Sequence, residues 1–214
     1  VLAGQLIGES SGFVSAVVHS SVSGTVHSVG PFPHPSGKQV ISIEIENDGL
    51  NEMAEFSPLL NWRDAAQGEL VQKIQAAGIV GMGGASFPTH VKLSPPSNKI
   101  IDTLIINGAE CEPYLTADHR LMLEKTEQLL TGILILKKIL SAQKCFLGIE
   151  ENKLDAIQAV TSLLKDQKFR DIKLARLKVK YPQGGEKQLI SAITGREVPS
   201  GGLPMDAGCV VQNI

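Results

Sequence analysis

Short apolar runs alternate with longer amphipathic segments over the second half of the chain, and this alternation restricts the possible folds more than any other feature. Runs of strand length lie at Thr103–Ile106, Cys145–Ile149 and Ile172–Val179. Apolar residues recur at helical spacing from Thr116 to about Leu140, in Lys153–Lys165 and in Gly184–Ile193. Strands that alternate with helices form a mostly parallel sheet with helices on both faces. The sequence therefore predicts an α/β fold for this part.

The first fifty residues differ in character, because Ser, Gly, Pro and Val dominate and charges are sparse. Short strands are expected at Gln5–Gly8, Phe13–Val18, Val22–Val29 and Gln39–Ile45, with a loop at Pro31–Gly37. This spacing is typical of a small β-barrel or sandwich, and residues 19–26 resemble the barrel-sandwich hybrid of biotinyl and lipoyl carrier domains. A carrier lysine with the expected flanks is missing, so a docking or structural module is preferred.

Three domains or segments follow from these patterns. We expect a β module at residues 1–50, a linker at 51–63 that contains Trp62 and packs against the second domain, and the α/β domain at 64–214. Neither end resembles a natural terminus, so the chain is expected to be a piece of a longer protein.

A glycine-rich stretch lies between a predicted helix and the first predicted strand of the α/β domain. The helix starts near Asp64, and Gly78 ends it. Residues 78–92 read G-I-V-G-M-G-G-A-S-F-P-T-H-V-K and include Gly81, Gly83, Gly84 and Lys92. Glycine lets backbone N–H groups approach a ligand closely, consecutive N–H groups form an anion nest, and a lysine adds a point charge for phosphate. The stretch predicts a phosphate or nucleotide site.

Polar residues follow two other elements of the predicted sheet. Asn107, Glu110 and Glu112 come after the strand that starts at Thr103, and Glu186 follows the Gly184-Gly185 pair. Ligands of open α/β sheets bind at the carboxyl ends of the strands. We therefore expect these groups to converge with the glycine-rich stretch. Thr116 is expected to cap the next helix, with Asp118 in its first turn.

Composition and charge exclude several other classes. The net charge of −2 and the low aromatic content of 4% give no reason to propose a nucleic-acid partner. The apolar run near Ile133 is broken by Lys137 and Lys138, so no membrane span is expected. Three well-separated cysteines favour reduced thiols over a disulfide framework. The histidines at positions 19, 27 and 34 match no ligand spacing, so no metal site is expected.

Three ordered motifs carry a family resemblance. Residues 78–92 resemble the flavin loop of the NADH-oxidising 51-kDa subunit of respiratory complex I, and they resemble the RnfC component of the Rnf electron transport complex still more closely. The segments Ile106–Met122, I-N-G-A-E-C-E-P-Y-L-T-A-D-H-R-L-M, and Tyr181–Val198, Y-P-Q-G-G-E-K-Q-L-I-S-A-I-T-G-R-E-V, agree with the same family. The resemblance implies the α/β flavin domain of the complex I 51-kDa subunit behind a small β module.

The resemblance also implies site residues. It places FMN-binding residues at Gly81, Met82, Gly83, Gly84, Lys92, Asn107, Ala109, Glu110, Cys111, Gly184, Gly185, Glu186 and Asn213. It places Glu112 and Glu186 against NADH and assigns no catalytic side chain, because the flavin carries the chemistry. Several positions depart from the complex I pattern, with Met82 in place of an arginine, Ala109 of an aspartate, Cys111 of a serine and Gly185 of a glutamate. These departures favour the Rnf-type protein.

The function that the resemblance implies is NADH oxidation through non-covalent FMN, with electrons passed to 4Fe–4S clusters that lie in the full-length protein only. The implied partners are the other Rnf subunits and ferredoxin-linked carriers, and the implied location is peripheral, on the cytoplasmic side of the bacterial inner membrane. Two alternatives stay open. One is the related cobalamin reductase of propanediol-utilising microcompartments, and the other is a non-catalytic docking or assembly fragment that holds no flavin.

Overall fold

A four-stranded parallel sheet forms the centre of the larger part of the molecule. The computed structural model of the chain describes residues 1–82 and 85–214. The sheet strands are β5 (Thr103–Gly108), β6 (Lys144–Glu150), β7 (Lys173–Leu177) and β8 (Cys209–Asn213), and the four strands that precede them in the chain belong to the N-terminal part. Their order across the sheet is β7-β6-β5-β8. The predicted parallel α/β sheet is thus confirmed, while β8 is a strand that the sequence patterns did not predict.

Helices cover both faces of this sheet. They are α1 (Gln67–Ala76), α2 (Thr89–Lys92), α3 (Ala117–Glu124), α4 (Thr126–Leu140), α5 (Leu154–Leu163) and α6 (Glu186–Thr194). Leu70 of α1, Leu130 of α4 and Ile157 of α5 join Leu104 and Ile106 in one buried cluster. On the opposite face, Leu189 and Ile190 of α6 pack with Ile105 and Val211 in a second cluster. Burial on both sides explains why these strands read as continuous apolar runs.

The single long helix predicted from Thr116 to Leu140 is wrong, because the segment is divided at Lys125. This residue has φ −132° and ψ 31°, outside the helical region. The next residue, Thr126, is buried, and its hydroxyl donates to the Met122 carbonyl at 2.5 Å. A side-chain hydroxyl that takes this carbonyl competes with the helical hydrogen-bond ladder. The break therefore comes from a tertiary packing choice that helical periodicity does not show.

The N-terminal strands form two small antiparallel sheets. β1 (Leu6–Gly8) pairs with β2 (Val18–His19), and β3 (Gly24–Pro33) pairs with β4 (Gln39–Asn47). The strand predicted over Phe13–Val18 is wrong for most of its length, and the loop predicted from Pro31 begins too early, because β3 continues through Pro33. β3 lies at the edge of its two-stranded sheet, where a proline can be tolerated because only one side of the strand is paired.

The connection between the two parts packs against the larger core, as expected for Trp62. Its side chain and that of Leu59 lie against the cluster beneath α1 and α4. Ala3 of the N-terminal part forms an isolated parallel bridge with Met53. The domain boundaries at 50, 63 and 64 remain predictions. None of the helices in the described parts of the chain is long and apolar enough to cross a membrane.

Candidate flavin and nucleotide site

The carboxyl ends of β5 and β8 bring two predicted site residues side by side. Asn107 of β5 is paired in register with Asn213 of β8. The Asn107 amide nitrogen donates to the Asn213 side-chain oxygen at 3.1 Å and to the Gly184 carbonyl at 3.0 Å. Its amide oxygen accepts from the Ala109 N–H at 3.1 Å. One side chain thus fastens three segments that are far apart in sequence.

Gly184 lies where a larger residue would not fit. A Cβ added there would come within 2.6 Å of the Ala109 carbonyl oxygen and 2.9 Å of Cys111 Sγ. The Gly184 N–H also donates to Cys111 Sγ at 2.9 Å. The glycine therefore permits the loop before α6 to lie directly against the loop after β5. Gly185 follows as the residue that caps α6.

Lys92 and Glu186 form an ion pair beside this junction. Lys92 Nζ lies 3.0 Å from Glu186 Oε1, and it also donates to the Val211 carbonyl at 2.8 Å. Both side chains are about a third exposed, at 35% and 38%. Lys92 is the last residue of α2 and Glu186 is the first of α6. The pair joins the glycine-rich stretch to α6 beside β8, whose position at the end of the strand order makes it an edge strand of the described sheet.

The described part of the glycine-rich stretch is closed by backbone contacts. The Gly81 N–H donates to the Phe87 carbonyl at 2.9 Å, and the Thr89 N–H donates to the Ile79 carbonyl at 3.0 Å. Val80 and Pro88 form an antiparallel bridge. Met82 is 91% exposed. Gly83 and Gly84, which the sequence places in the site, lie outside the described residues.

Glu110 points into the protein and caps α3. Its carboxylate accepts from the Asp118 N–H at 2.9 Å and from the His119 N–H at 3.2 Å, and Lys153 Nζ lies 3.9 Å away. The Glu110 side chain is only 6% exposed. Burial, together with the charge of Glu110, raises the pKa of Asp118. The cap predicted at Thr116 is wrong, since Thr116 occupies the cap position without a side-chain hydrogen bond.

Two models of protein families match the chain. A model described as the Nuo51 FMN-binding domain matches residues 74–214, which is well over half of the chain. The chain belongs to the Nuo51 FMN-binding domain family. A second model, described as the RnfC barrel sandwich hybrid domain, matches residues 1–50.

Curated relatives of this Nuo51-type chain are components of ion-translocating complexes. Over 212 residues it is 51% identical to the RnfC-type component of the proton-translocating ferredoxin:NAD(+) oxidoreductase complex of Clostridium ljungdahlii, covering 99% of this chain and 46% of the relative. It is 49% identical to the Na(+)-translocating counterpart of Acetobacterium woodii, covering all of this chain and 48% of that protein. The corresponding component of the ion-translocating oxidoreductase complex of Pseudomonas aeruginosa is 45% identical, and 28% of its length is covered. The chain thus spans about half or less of these relatives.

Solved structures support the fold of the Nuo51-type domain. The NAD+-reducing [NiFe]-hydrogenase in its H2-reduced state gives a TM-score of 0.54 at 24% identity, covering 77% of this chain and 35% of that one. The air-oxidized state of the hydrogenase gives a TM-score of 0.53 over 74% of this chain and 33% of that one. At this level of identity the likeness concerns the fold.

Most of the site residues predicted for this Nuo51-type domain come together, although their roles stay predictions. The residues joined by direct hydrogen bonds or an ion pair are Lys92, Asn107, Ala109, Cys111, Gly184, Glu186 and Asn213. Glu112 lies in an exposed loop. Glu110 is turned away into the α3 cap.

Sequence reasoning missed two groups at this site, the Val211 carbonyl that holds Lys92 and the capping role of Glu110. Neither has a clear sequence signal. Backbone acceptors carry no residue signature, and Glu110 precedes the first helical residue, Ala117, by seven positions. The usual capping patterns place the capping side chain at the helix boundary itself.

Proposed function

We propose that this chain binds FMN at the carboxyl edge of its parallel sheet and presents it to NADH. When bound, FMN takes up a hydride and releases the two electrons singly to other centres. The observation that carries the proposal is the hydrogen bonding of Asn107 to both Gly184 and Asn213, which gathers three predicted flavin segments at one edge. No side chain is assigned a nucleophilic or proton-transfer role.

The residues at this edge fit a flavin phosphate and ring. Lys92 supplies a partly exposed ammonium whose orientation is fixed by the Val211 carbonyl. Gly184 leaves room next to Ala109 that a Cβ would fill. Asn107 and Asn213 set the spacing between the two loops, and Glu186 adds a carboxylate at the first turn of α6, suited to orienting a ring edge or the nicotinamide nucleotide.

For the longer protein we propose the role of the RnfC component of an Rnf-type complex, which exchanges electrons between NAD(H) and ferredoxin-linked carriers. Support comes from the names of relatives that are 45% to 51% identical. The 4Fe–4S clusters would lie in the part of the full-length protein that this chain does not span. The protein would be peripheral, on the cytoplasmic side of the bacterial inner membrane, and would contact the other Rnf subunits.

Titration with FMN tests the binding proposal, with two lysine variants that match closely. Lys92 and Lys99 both form ion pairs, at 3.0 and 2.6 Å, and their side chains are 35% and 36% exposed. Lys99 pairs with Asp206, outside the site. Because a hydrogen bond to a charged group contributes about 1.5–3 kcal/mol, Lys92→Ala should weaken FMN binding at least about tenfold. Lys99→Ala should leave the affinity unchanged.

Flavin fluorescence gives the affinity, and thermal unfolding gives an independent check. FMN at about 100 times Kd should stabilise the folded chain by roughly 2.7 kcal/mol. Anaerobic addition of NADH to the loaded chain should then bleach the visible absorbance of the flavin. Binding without bleaching would contradict the hydride-transfer part, whereas no binding by the purified chain would favour the non-catalytic docking role.

A further inference from the structure

Gln212 of β8 carries a buried side-chain nitrogen with no hydrogen-bond partner. Within residues 1–82 and 85–214, its Nε2 is the one buried side-chain nitrogen or oxygen atom left unpaired. The residue is only 8% exposed. A buried donor without an acceptor costs free energy, and natural proteins retain such groups rarely. The amide therefore calls for an acceptor that the described residues do not supply.

The position of Gln212 relates it to Lys92. The carbonyl that accepts from Lys92 Nζ belongs to the Val211–Gln212 peptide unit. Alternation along β8 places Gln212 on the same face as Val210, which packs in the cluster with Leu93, the residue directly after Lys92. The ammonium of Lys92 and the unpaired amide of Gln212 thus belong to groups that flank one peptide at the edge of the sheet, directly after the glycine-rich stretch.

We infer that Gln212 Nε2 is a further donor to the phosphate monoester that Lys92 binds. This inference rests on the proposed FMN function and deepens it by naming a residue that recognises the phosphate. A neutral amide N–H and an ammonium on neighbouring groups suit the oxygens of one phosphate, which accept several hydrogen bonds at once. The unpaired amide is then a feature of the ligand-free protein, and it gains its acceptor when the ligand binds.

Gln212→Met tests the inference, because methionine keeps the length of the side chain and removes its donor. We expect the Kd for FMN to rise about tenfold, which corresponds to about 1.4 kcal/mol. The Kd for riboflavin, which lacks the phosphate, should stay unchanged. In the absence of flavin, the melting temperature should rise by about 2–4 °C, because an unpaired buried donor has been removed. Gln158→Met, on the exposed face of α5, serves as the control and should alter none of these values.

The outcomes separate the inference from the proposed function. If the wild-type chain binds no FMN, the proposed function fails and the inference with it. If it binds FMN and the Gln212→Met affinity equals that of wild type, the inference alone is overturned. Equal weakening of FMN and riboflavin would place the amide at the ring or ribityl chain and would overturn the phosphate assignment. A lower melting temperature without flavin would show that the amide is bonded in the free protein, which also overturns it.

Discussion

The carboxylate of Glu110 satisfies two backbone donors that the first turn of α3 would otherwise leave without partners. Helix N-termini favour negative charge, and the two contacts to the Asp118 and His119 N–H groups use both carboxylate oxygens. Lys153, the residue before α5, lies 3.9 Å from the same carboxylate. Glu110 therefore joins the start of two helices at the edge of the sheet where the flavin is proposed to bind.

Replacing Glu110 distinguishes a cap from a ligand contact. Glu110→Ala should lower the free energy of unfolding by about 1–2 kcal/mol, because the capping bonds of a largely buried side chain are lost. Urea unfolding measures this loss. Glu112→Ala, two residues away in an exposed loop, should stay within about 0.5 kcal/mol of wild type. Unchanged stability with loss of FMN binding would instead show that Glu110 contacts the flavin.

Among the elements, an ion pair fixes the start of β5 against the segment that joins α6 to β8. Arg196 donates to both carboxylate oxygens of Asp102, at 2.6 and 2.7 Å, and to the Ala207 carbonyl at 3.0 Å. The Asp102 N–H in turn donates to the Gly208 carbonyl. These contacts set where β5 and β8 begin, and hence which of their residues reach the carboxyl edge together.

The same pair predicts a pH dependence of stability. The hydrogen bonds from Arg196 lower the pKa of Asp102 from 3.8 to about 2. Since the folded state holds this proton more weakly than the unfolded state, the pair contributes its full stability above about pH 4 and loses it as the pH falls towards 2. Asp102→Asn should reduce the free energy of unfolding by about 1–2 kcal/mol at pH 7.

Urea unfolding of both proteins at a series of pH values checks this dependence. The difference between wild type and Asp102→Asn should shrink between about pH 4 and pH 2, since other carboxyls contribute equally to both proteins. A difference that stays constant over this interval would contradict the assignment.

Elements that rest on local patterning were predictable, and those that rest on tertiary contacts were not. β5 and β6 are buried on both faces, so their apolar runs were visible in the sequence. The break at Lys125 and the strand β8 were missed, because Thr126 and Val210 owe their conformation to tertiary packing and strand pairing. The site followed the same division, since the motifs predicted which loops meet but not that Lys92 would lie against Val211 and Glu186.

At the scale of the whole molecule, the two parts differ in how much of their apolar surface is covered. Val29 and Ile41 on the β3–β4 hairpin are 63% and 75% exposed. In contrast, Leu104 and Ile105 of β5 and Leu147 of β6 are fully buried. A two-stranded ribbon with an exposed apolar face has little stability of its own. The N-terminal part contacts the larger part near the site, where His90 of α2 hydrogen-bonds the Phe13 carbonyl at 3.1 Å.

This contrast predicts a gradient of local stability that amide hydrogen exchange measures. The amides that pair β3 with β4 should exchange roughly 100-fold faster or more than those that pair β5 with β6, since the central strands open only with the whole domain. Saturating FMN should slow exchange in residues 78–92 and leave β3–β4 unchanged, because the proposed contacts lie on the larger part. Equal protection of the hairpin and the central sheet would mean that the apolar face of the hairpin is covered in solution. Slowing of the hairpin by FMN would mean that the contact of His90 with Phe13 transmits ligand binding to the N-terminal part.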